Sequence, residues 1–238
     1  MQRLNNYSDR LNEIHAKMTI KNPNGNSNQP LEYELEEQLI AVQYIEPSDV
    51  VLELGANKGC NSCVINHLIG CSNKQLSIEP SPVLGNILNV NRDLSGCNFH
   101  IFNGTLSKEP QIFVGEGFAG YTLPEEYDFG FTVPHKTLGE LKKETGIERF
   151  NCLVADCEGA LPQILRDFPE LYDECDKFLV EMDGTGLYGH ELYDEMIKTL
   201  DEKGFVRIQS GFRSIWKRAN IVGFNEGSCP LTTTGDGA

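Results

Sequence analysis

The chain has 238 residues, with 20 Lys and Arg against 35 Asp and Glu for a formal charge of -15, and a pI near 4.7. That length suits one α/β domain and leaves two cramped, while the acidic balance repels phosphate backbones and anionic lipid, which argues against nucleic acid and membrane as partners. No run approaches the roughly 20 apolar residues of a membrane helix, and the polar start MQRLNNYSDRLNEIHAKM lacks the apolar centre of a secretory signal, so a cytoplasmic location is expected.

Residues 1–30 end in KNPNGNSNQP, a polar Pro/Gly/Asn stretch that reads as a flexible N-terminal leader. Residues 31–225 carry the domain. LEYELEEQLIAVQYI spaces Leu31, Leu35, Leu39, Val42 and Ile45 for an amphipathic helix. VVLEL, QLSIE and NFHIF then read as strands, separated by helices near Cys60 to Ile69 and from Pro82 to about Asp93. This βαβαβ punctuation implies a parallel sheet with helices on its faces. The Gly- and aromatic-rich insert over residues 111–131 is too long for an ordinary connection and reads as a hairpin or substrate-facing loop, or as a cover for a sheet edge.

The alternation resumes with a helix at TLGELKKETG, a strand at FNCLVAD, a helix at ALPQILRDF, a strand at KFLVEM and a helix at HELYDEMIKTLDEKG. Two closing strands, FVRIQ and NIVGF, are expected around a basic aromatic turn, SGFRSIWKRA, that gathers Arg213, Trp216, Lys217 and Arg218. Residues 226–238 read as a disordered tail. The eight cysteines are expected to be reduced, several as small hydrophobes in apolar runs. Cys60 and Cys63 form a CxxC with no second pair at zinc-finger spacing, which favours core packing over metal. The sequence carries no signal of oligomeric state.

The informative stretch is VLELGANKG, a buried strand running into a glycine turn. A dinucleotide turn wants G-x-G-x-x-G, but Asn57 and Cys60 stand where its second and third glycines belong. A P-loop ends in Gly-Lys-Ser/Thr, whereas Lys58 precedes Gly59 and Cys60 follows it. Glu53 also lies at the mouth of the turn, where a pyrophosphate would crowd it. S-adenosylmethionine carries an ammonium and a sulfonium and no phosphate, so a carboxylate there favours it. The expected cofactor-binding set is Glu53, Gly55, Ala56, Asn57, Gly59, Glu79 and Pro80, with Glu79 at the end of the next strand placed to accept from ribose hydroxyls. An acid at that position also suits NAD.

VLELGANKG, LSIEPSPVLGNILNVNRD, KTLGELKKETGIERFNCLVADCEGALPQIL and FLVEMDG, in this order from about Val50 to Glu181, resemble the FkbM-type S-adenosylmethionine-dependent methyltransferases. Glu79, Pro80, Ser81 and Pro82 match that family's E-P-x-P step, and Asp156, Cys157, Glu158 and Gly159 its D-x-E-G. Ala155 departs from the lysine common before the motif aspartate, and Gly139 from the aspartate of Thr-Leu-Asp. The resemblance implies a Rossmann-like class I methyltransferase fold, a mostly parallel seven-stranded sheet with helices on both faces and an antiparallel last strand. It also implies O-methylation of a small-molecule or glycan acceptor, a sugar hydroxyl foremost.

Methyl transfer to a hydroxyl requires positioning of the oxygen and removal of its proton. Asp156 and Glu158 end a strand at the edge where open parallel sheets bind ligands, and continued strand geometry through Cys157 would put both on one side. They are the expected catalytic pair, with an N-cap as the rival role for Asp156. Asp156, Glu181 and Asp183 together could hold a hard divalent ion such as Mg2+ or Mn2+. The remaining alternatives are an NAD-dependent oxidoreductase and a non-catalytic module that binds S-adenosylmethionine.

Overall fold

The computed structural model describes residues 2–25, 33–116, 119–124, 130–183 and 190–219. In chain order these form α1 (Gln2–His15), α2 (Leu35–Tyr44), β1 (Val51–Leu54), α3 (Cys60–Leu68), β2 (Gln75–Ile78), α4 (Pro82–Leu94) and β3 (His100–Phe102). There follow β4 (Thr105–Leu106), β5 (Gln111–Glu116), β6 (Ala119–Pro124), β7 (Phe131–Val133), β8 (His135–Lys136) and α5 (Leu138–Thr145). The chain continues with β9 (Cys152–Ala155), α6 (Leu161–Asp167), α7 (Glu170–Glu174), β10 (Lys177–Glu181), α8 (His190–Glu202), β11 (Phe205–Gln209) and β12 (Arg213–Arg218).

The central sheet runs β11-β12-β10-β9-β1-β2-β3. From β10 to β3 its neighbours are parallel, and β12 lies antiparallel between β10 and β11. This is a Rossmann-like, mostly parallel seven-stranded sheet with its last strand antiparallel, as expected, and with helices on both faces. Strands covered on both faces must be apolar throughout, and every residue of VLEL, QLSI and CLVA is buried. Period two divides them. Leu52, Leu54, Leu153, Phe178 and Val180 pack with α5 to α8 through Leu138, Leu161, Leu171 and Met196. Val51, Cys152, Val154 and Leu179 face α1, α2 and α3 through Leu11, Val42, Val64 and Leu68. At the strand origins, a buried Lys177–Asp49 ion pair of 2.8 Å and the Asn151 amide on Asp49 and Val50 tie β10 and β9 to the approach to β1.

Local signals set the helix starts. Ser81 caps α4 with Pro82 in its first turn, and Thr137 and Glu140 form a capping box on α5, each satisfying amides that have no partner inside the helix.

Two expectations change. The proposed leader is ordered over most of its length: α1 spaces Tyr7, Leu11 and Ile14 on one face, Met18 follows the helix, and Leu11, Ile14 and Met18 are buried. The Thr19 and Lys21 amides then donate to Ser95 Oγ and Asn91 Oδ1. The polar composition of the segment hid a stripe four residues deep. The basic aromatic turn is mostly β12 itself, with Trp216 fully buried opposite Phe178 of β10. Strand period turns Lys217 to the opposite face from Trp216, with Arg213 and Arg218 at the ends of β12, while the indole enters the core. NIVGF and residues 226–238 lie outside the described residues.

The 111–131 insert folds as an antiparallel sheet in the order β6-β5-β7. Phe113 and Phe131 meet across it at 5.5 Å, and the parallel β4–β8 pair closes its base.

Because Leu11 is 2 % exposed, Leu11→Ala should cost about 2–4 kcal/mol. Urea unfolding followed by circular dichroism measures it. A leader without core contacts would leave the midpoint unchanged.

Candidate functional site

The sheet order reverses at β1, whose neighbours are β2 and β9, and ligands of open α/β sheets bind beyond the strand ends at such a point. Here the chain makes a close approach. Gly55, at φ +83°, lies so near the end of β9 that a Cβ would stand 1.6 Å from the Asp156 carbonyl oxygen. The Asp156 amide in turn donates to Leu54 O at 3.0 Å. No side chain fits between turn and strand, so glycine is required by contact as well as by φ.

Glu79 braces the same turn from β2. Its carboxylate accepts from the Asn57 amide at 2.7 Å and the Ser81 amide at 2.8 Å. Burial pushes its carboxyl up to about 7, against those two amide bonds. The Asn103 side chain donates to the carbonyls of Glu79 and Ser81, fixing the loop beyond.

Above this turn opens a crevice whose empty space, open solvent included, is about 940 Å³. Gly55, Asn57, Glu79 and Pro80 line one side, Asp156, Cys157 and Glu158 another, and Phe113, Tyr121 and Thr122 of β5 and β6 a third. The insert is thus a wall of the crevice.

A second cavity, of about 310 Å³, is lined by Glu37, Asn61, Asp156, Glu181 and Arg213 among others. Asp156 borders both spaces. Around it, carboxylate oxygens of Asp156, Glu181 and Asp183 all lie within 4.8 Å of one another, and those of Glu34, Glu37 and Asp156 do likewise. Arg213 binds the outer part of this group, at 2.8 Å to Glu36, 3.1 Å to Glu37 and 2.9 Å to Glu181.

Crowding of like charges in a half-dry site favours protonation. The Asp156 carboxyl is pushed up to about 9, first by burial and then by Glu181, Asp183 and Glu34. Glu181 rises to about 9 by burial and by Glu37, with Arg213 opposing. Glu34 and Glu37 each rise to about 7, burial again leading. Among the described residues, Asp183 Oδ2 is buried without a hydrogen-bond partner. Three converging carboxylates, one with an orphan oxygen, fit a hard cation that takes oxygen ligands.

The expected residues therefore divide. Gly55, Asn57, Glu79 and Pro80 line the crevice; Glu53, Ala56 and Gly59 do not. Glu53 alternates to the α3 face of β1, where it accepts from Ser77 Oγ at 2.6 Å and Gln75 Nε2 at 3.3 Å, and burial raises its carboxyl. It supports the turn from behind. Gly59 is the left-handed cap of α3, and a Cβ there would meet Leu88 at 2.6 Å.

Asp156, Glu181 and Asp183 come together as expected, but Glu158 does not join them. The strand stops at Ala155, and Glu158 sits in a turn at φ 52°, exposed on the crevice side. Asp156 is also no helix cap, since α6 starts from Ala160. Sequence reading missed Glu34 and Glu37, and named Arg213 only in the basic aromatic turn and not beside the carboxylates. The signal was the acidic run ELEE at the start of α2, read only for its apolar face.

No protein-family model and no curated protein matches the sequence. Among solved structures, the chain is similar to Aeropyrum pernix fibrillarin in complex with S-adenosyl-L-methionine, at 14% identity over 77% of this chain and 73% of that one, TM-score 0.45. It is similar to an S-adenosylmethionine-dependent O-methyltransferase from Thermotoga maritima at 11% identity over 80% and 67%, TM-score 0.48. A Methanococcus jannaschii fibrillarin pre-rRNA processing protein matches at 13% identity over 80% and 76%, TM-score 0.47. Likenesses this shallow leave activity to be argued from the site.

Carboxyls held higher in the folded chain than in the unfolded one stabilise the fold fully below the ordinary carboxylate range. That contribution is lost as pH rises through their folded values. With folded values of about 7 to about 9 in this cluster, the thermal midpoint of the ligand-free protein should fall between about pH 4 and that range. Asp156→Asn should flatten the fall and, at the alkaline end, stand on the order of 5 °C above the parent. Scanning calorimetry across pH tests this; parallel curves for the two proteins would remove Asp156 from the cluster's electrostatics.

Proposed function

We propose that the protein is an S-adenosylmethionine-dependent O-methyltransferase of FkbM type, acting on a hydroxyl of a sugar, glycan or similar small acceptor. The observation that carries this reading is the position of Asp156, a residue that lines both the glycine-turn crevice and the second cavity and whose carboxylate oxygens belong to the acidic cluster. A cationic cofactor without phosphate suits an acidic crevice that lacks the pyrophosphate glycines. Asn57 and Glu79 line the crevice and on this reading hold the ribose hydroxyls, the Glu79 oxygens keeping lone pairs beyond those given to the two amides.

When bound, S-adenosylmethionine supplies the methyl group, its carbon–sulfur bond breaking as the acceptor oxygen forms the new carbon–oxygen bond. The chain's own task is to orient that oxygen and take its proton. We assign this task to Asp156, whose carboxyl a neighbouring cation would lower back toward the ionised form in which it can accept. Glu181 and Asp183 flank it, and Arg213 fixes Glu181. A Mg2+ or Mn2+ ion held by Asp156, Glu181 and Asp183 would supply Lewis acidity toward the acceptor hydroxyl. Phe113 and Tyr121 offer ring faces and a phenol to the crevice, a combination that suits the apolar faces and hydroxyls of a sugar.

Isothermal titration with S-adenosylhomocysteine, with NAD as the control, tests the cofactor. One-site binding of the former alone is expected, and NAD binding in its place would overturn the reading. Glu79→Gln turns an amide N–H toward a backbone N–H and should weaken S-adenosylhomocysteine about tenfold with unchanged circular dichroism. Equal affinity would take Glu79 out of the site. With a sugar acceptor in hand, Asp156→Asn should lower kcat by about 10²-fold or more while cofactor affinity stays within a few-fold. Chelation should suppress turnover reversibly if the carboxylate trio holds an ion.

A further inference from the structure

A second cluster of ligating side chains lies apart from the crevice. The thiols of Cys71 and Cys97 and a ring nitrogen of His67 all lie within 4.8 Å of one another. His67 Nδ1 meets Cys71 Sγ at 3.3 Å, and the Cys97 thiol lies 3.8 Å from the Cys63 carbonyl oxygen and 3.7 Å from that of Ser95. Cys63 and His67 are one turn apart on α3, Cys71 follows the end of that helix, and Cys97 follows α4. None of the four lines either cavity.

Packing alone accounts poorly for this arrangement. Cys60, Cys63, Cys152 and Cys175 are buried as small hydrophobes, whereas Cys71 and Cys97 are only half-buried, too open to gain fully from the core. Cys71 also occupies a left-handed position, φ 52°, directly after the left-handed Gly70. A non-glycine residue pays about 1–2 kcal/mol there. That backbone, closed by the Cys71 amide on Asn66 O at 2.8 Å, turns the thiol back onto His67. Among the described residues, the other ring nitrogen, Nε2, is buried without a partner.

We infer that His67, Cys71 and Cys97, with Cys63 beside them, form a binding site for a soft divalent cation of the zinc class. Zinc takes thiolate sulfur at about 2.3 Å and imidazole nitrogen at about 2.0 Å, which sets tetrahedral donors roughly 3.4–3.8 Å apart. The trio reaches that spacing by side-chain adjustments of about 1 Å. Binding releases the thiol protons, involves no electron transfer, and leaves the neutral imidazole to donate its Nδ1 lone pair. The ion would join the C-terminal end of α3, the turn after it and the turn after α4. Its effect falls on stability and not on methyl transfer.

The test is a cobalt titration of the reduced, chelator-washed full-length chain. One equivalent of Co2+ should give a thiolate-to-cobalt charge-transfer band in the near ultraviolet, abolished by one equivalent of Zn2+. Carboxylate ligation cannot give that band, so Asp156→Asn should retain it and Cys71→Ser/Cys97→Ser should lose it. Zinc should raise the thermal midpoint of the parent by several degrees and leave the double variant unmoved. No band in the parent overturns the site without reference to any variant. A band that survives in a folded double variant, or a Cys71–Cys97 disulfide with no metal uptake, overturns it too.

Discussion

The site depends on a contact without a side chain: Gly55 against the carbonyl of Asp156. It brings the turn after β1 within backbone distance of the end of β9, and the Asp156 amide closes the same junction on Leu54. Everything that lines the crevice is then placed by neighbours of that junction. Glu79 holds the turn from β2 by two amides, Glu53 supports it from behind through Ser77 and Gln75, and the antiparallel insert supplies the remaining wall through Phe113 and Tyr121. A parallel sheet whose strand order reverses leaves a cleft at this place; the missing Cβ decides how narrow its floor is.

Electrostatics set the second level. Asp156, Glu181, Asp183, Glu34 and Glu37 converge from the turn after β9, the end of β10, the residues after it, and the cap and first turn of α2, with Arg213 answering on one side. Carboxyls forced together in partial burial either share protons or bind a cation. The ligand-free chain takes the first course, which is why Asp156 and Glu181 hold protons up to about 9. On the proposed reading, the charge of the sulfonium, or of a divalent ion, replaces those protons.

Much of this was legible in the residues. The unbroken apolar strands VLEL and CLVA, the glycine after the first and the acids after the second announced a parallel sheet and the edge that carries its site, because burial on two faces leaves no room for alternation. What the sequence hid had physical causes. The period of a strand ends where hydrogen bonding ends, so Glu158 leaves the face of Asp156 once β9 stops at Ala155. Alternation carried Glu53 away from the crevice although it stands two residues from Gly55. Glu34 and Glu37 arrive from a helix about 120 residues upstream, and no local pattern encodes that proximity. The helix α1 was masked by polar composition, and Trp216 by basic neighbours that strand period sends to other positions.

Asp156 lines two cavities, and its carboxyl carries a single exchangeable proton. A ligand that expels the proton from one side alters the charge met by a ligand on the other, so the two occupancies are thermodynamically linked and the linkage is reciprocal. Each binding event then carries a proton stoichiometry that varies with pH. The heat of binding should therefore depend on the ionisation enthalpy of the buffer, an observable belonging to the pair of cavities and to neither alone.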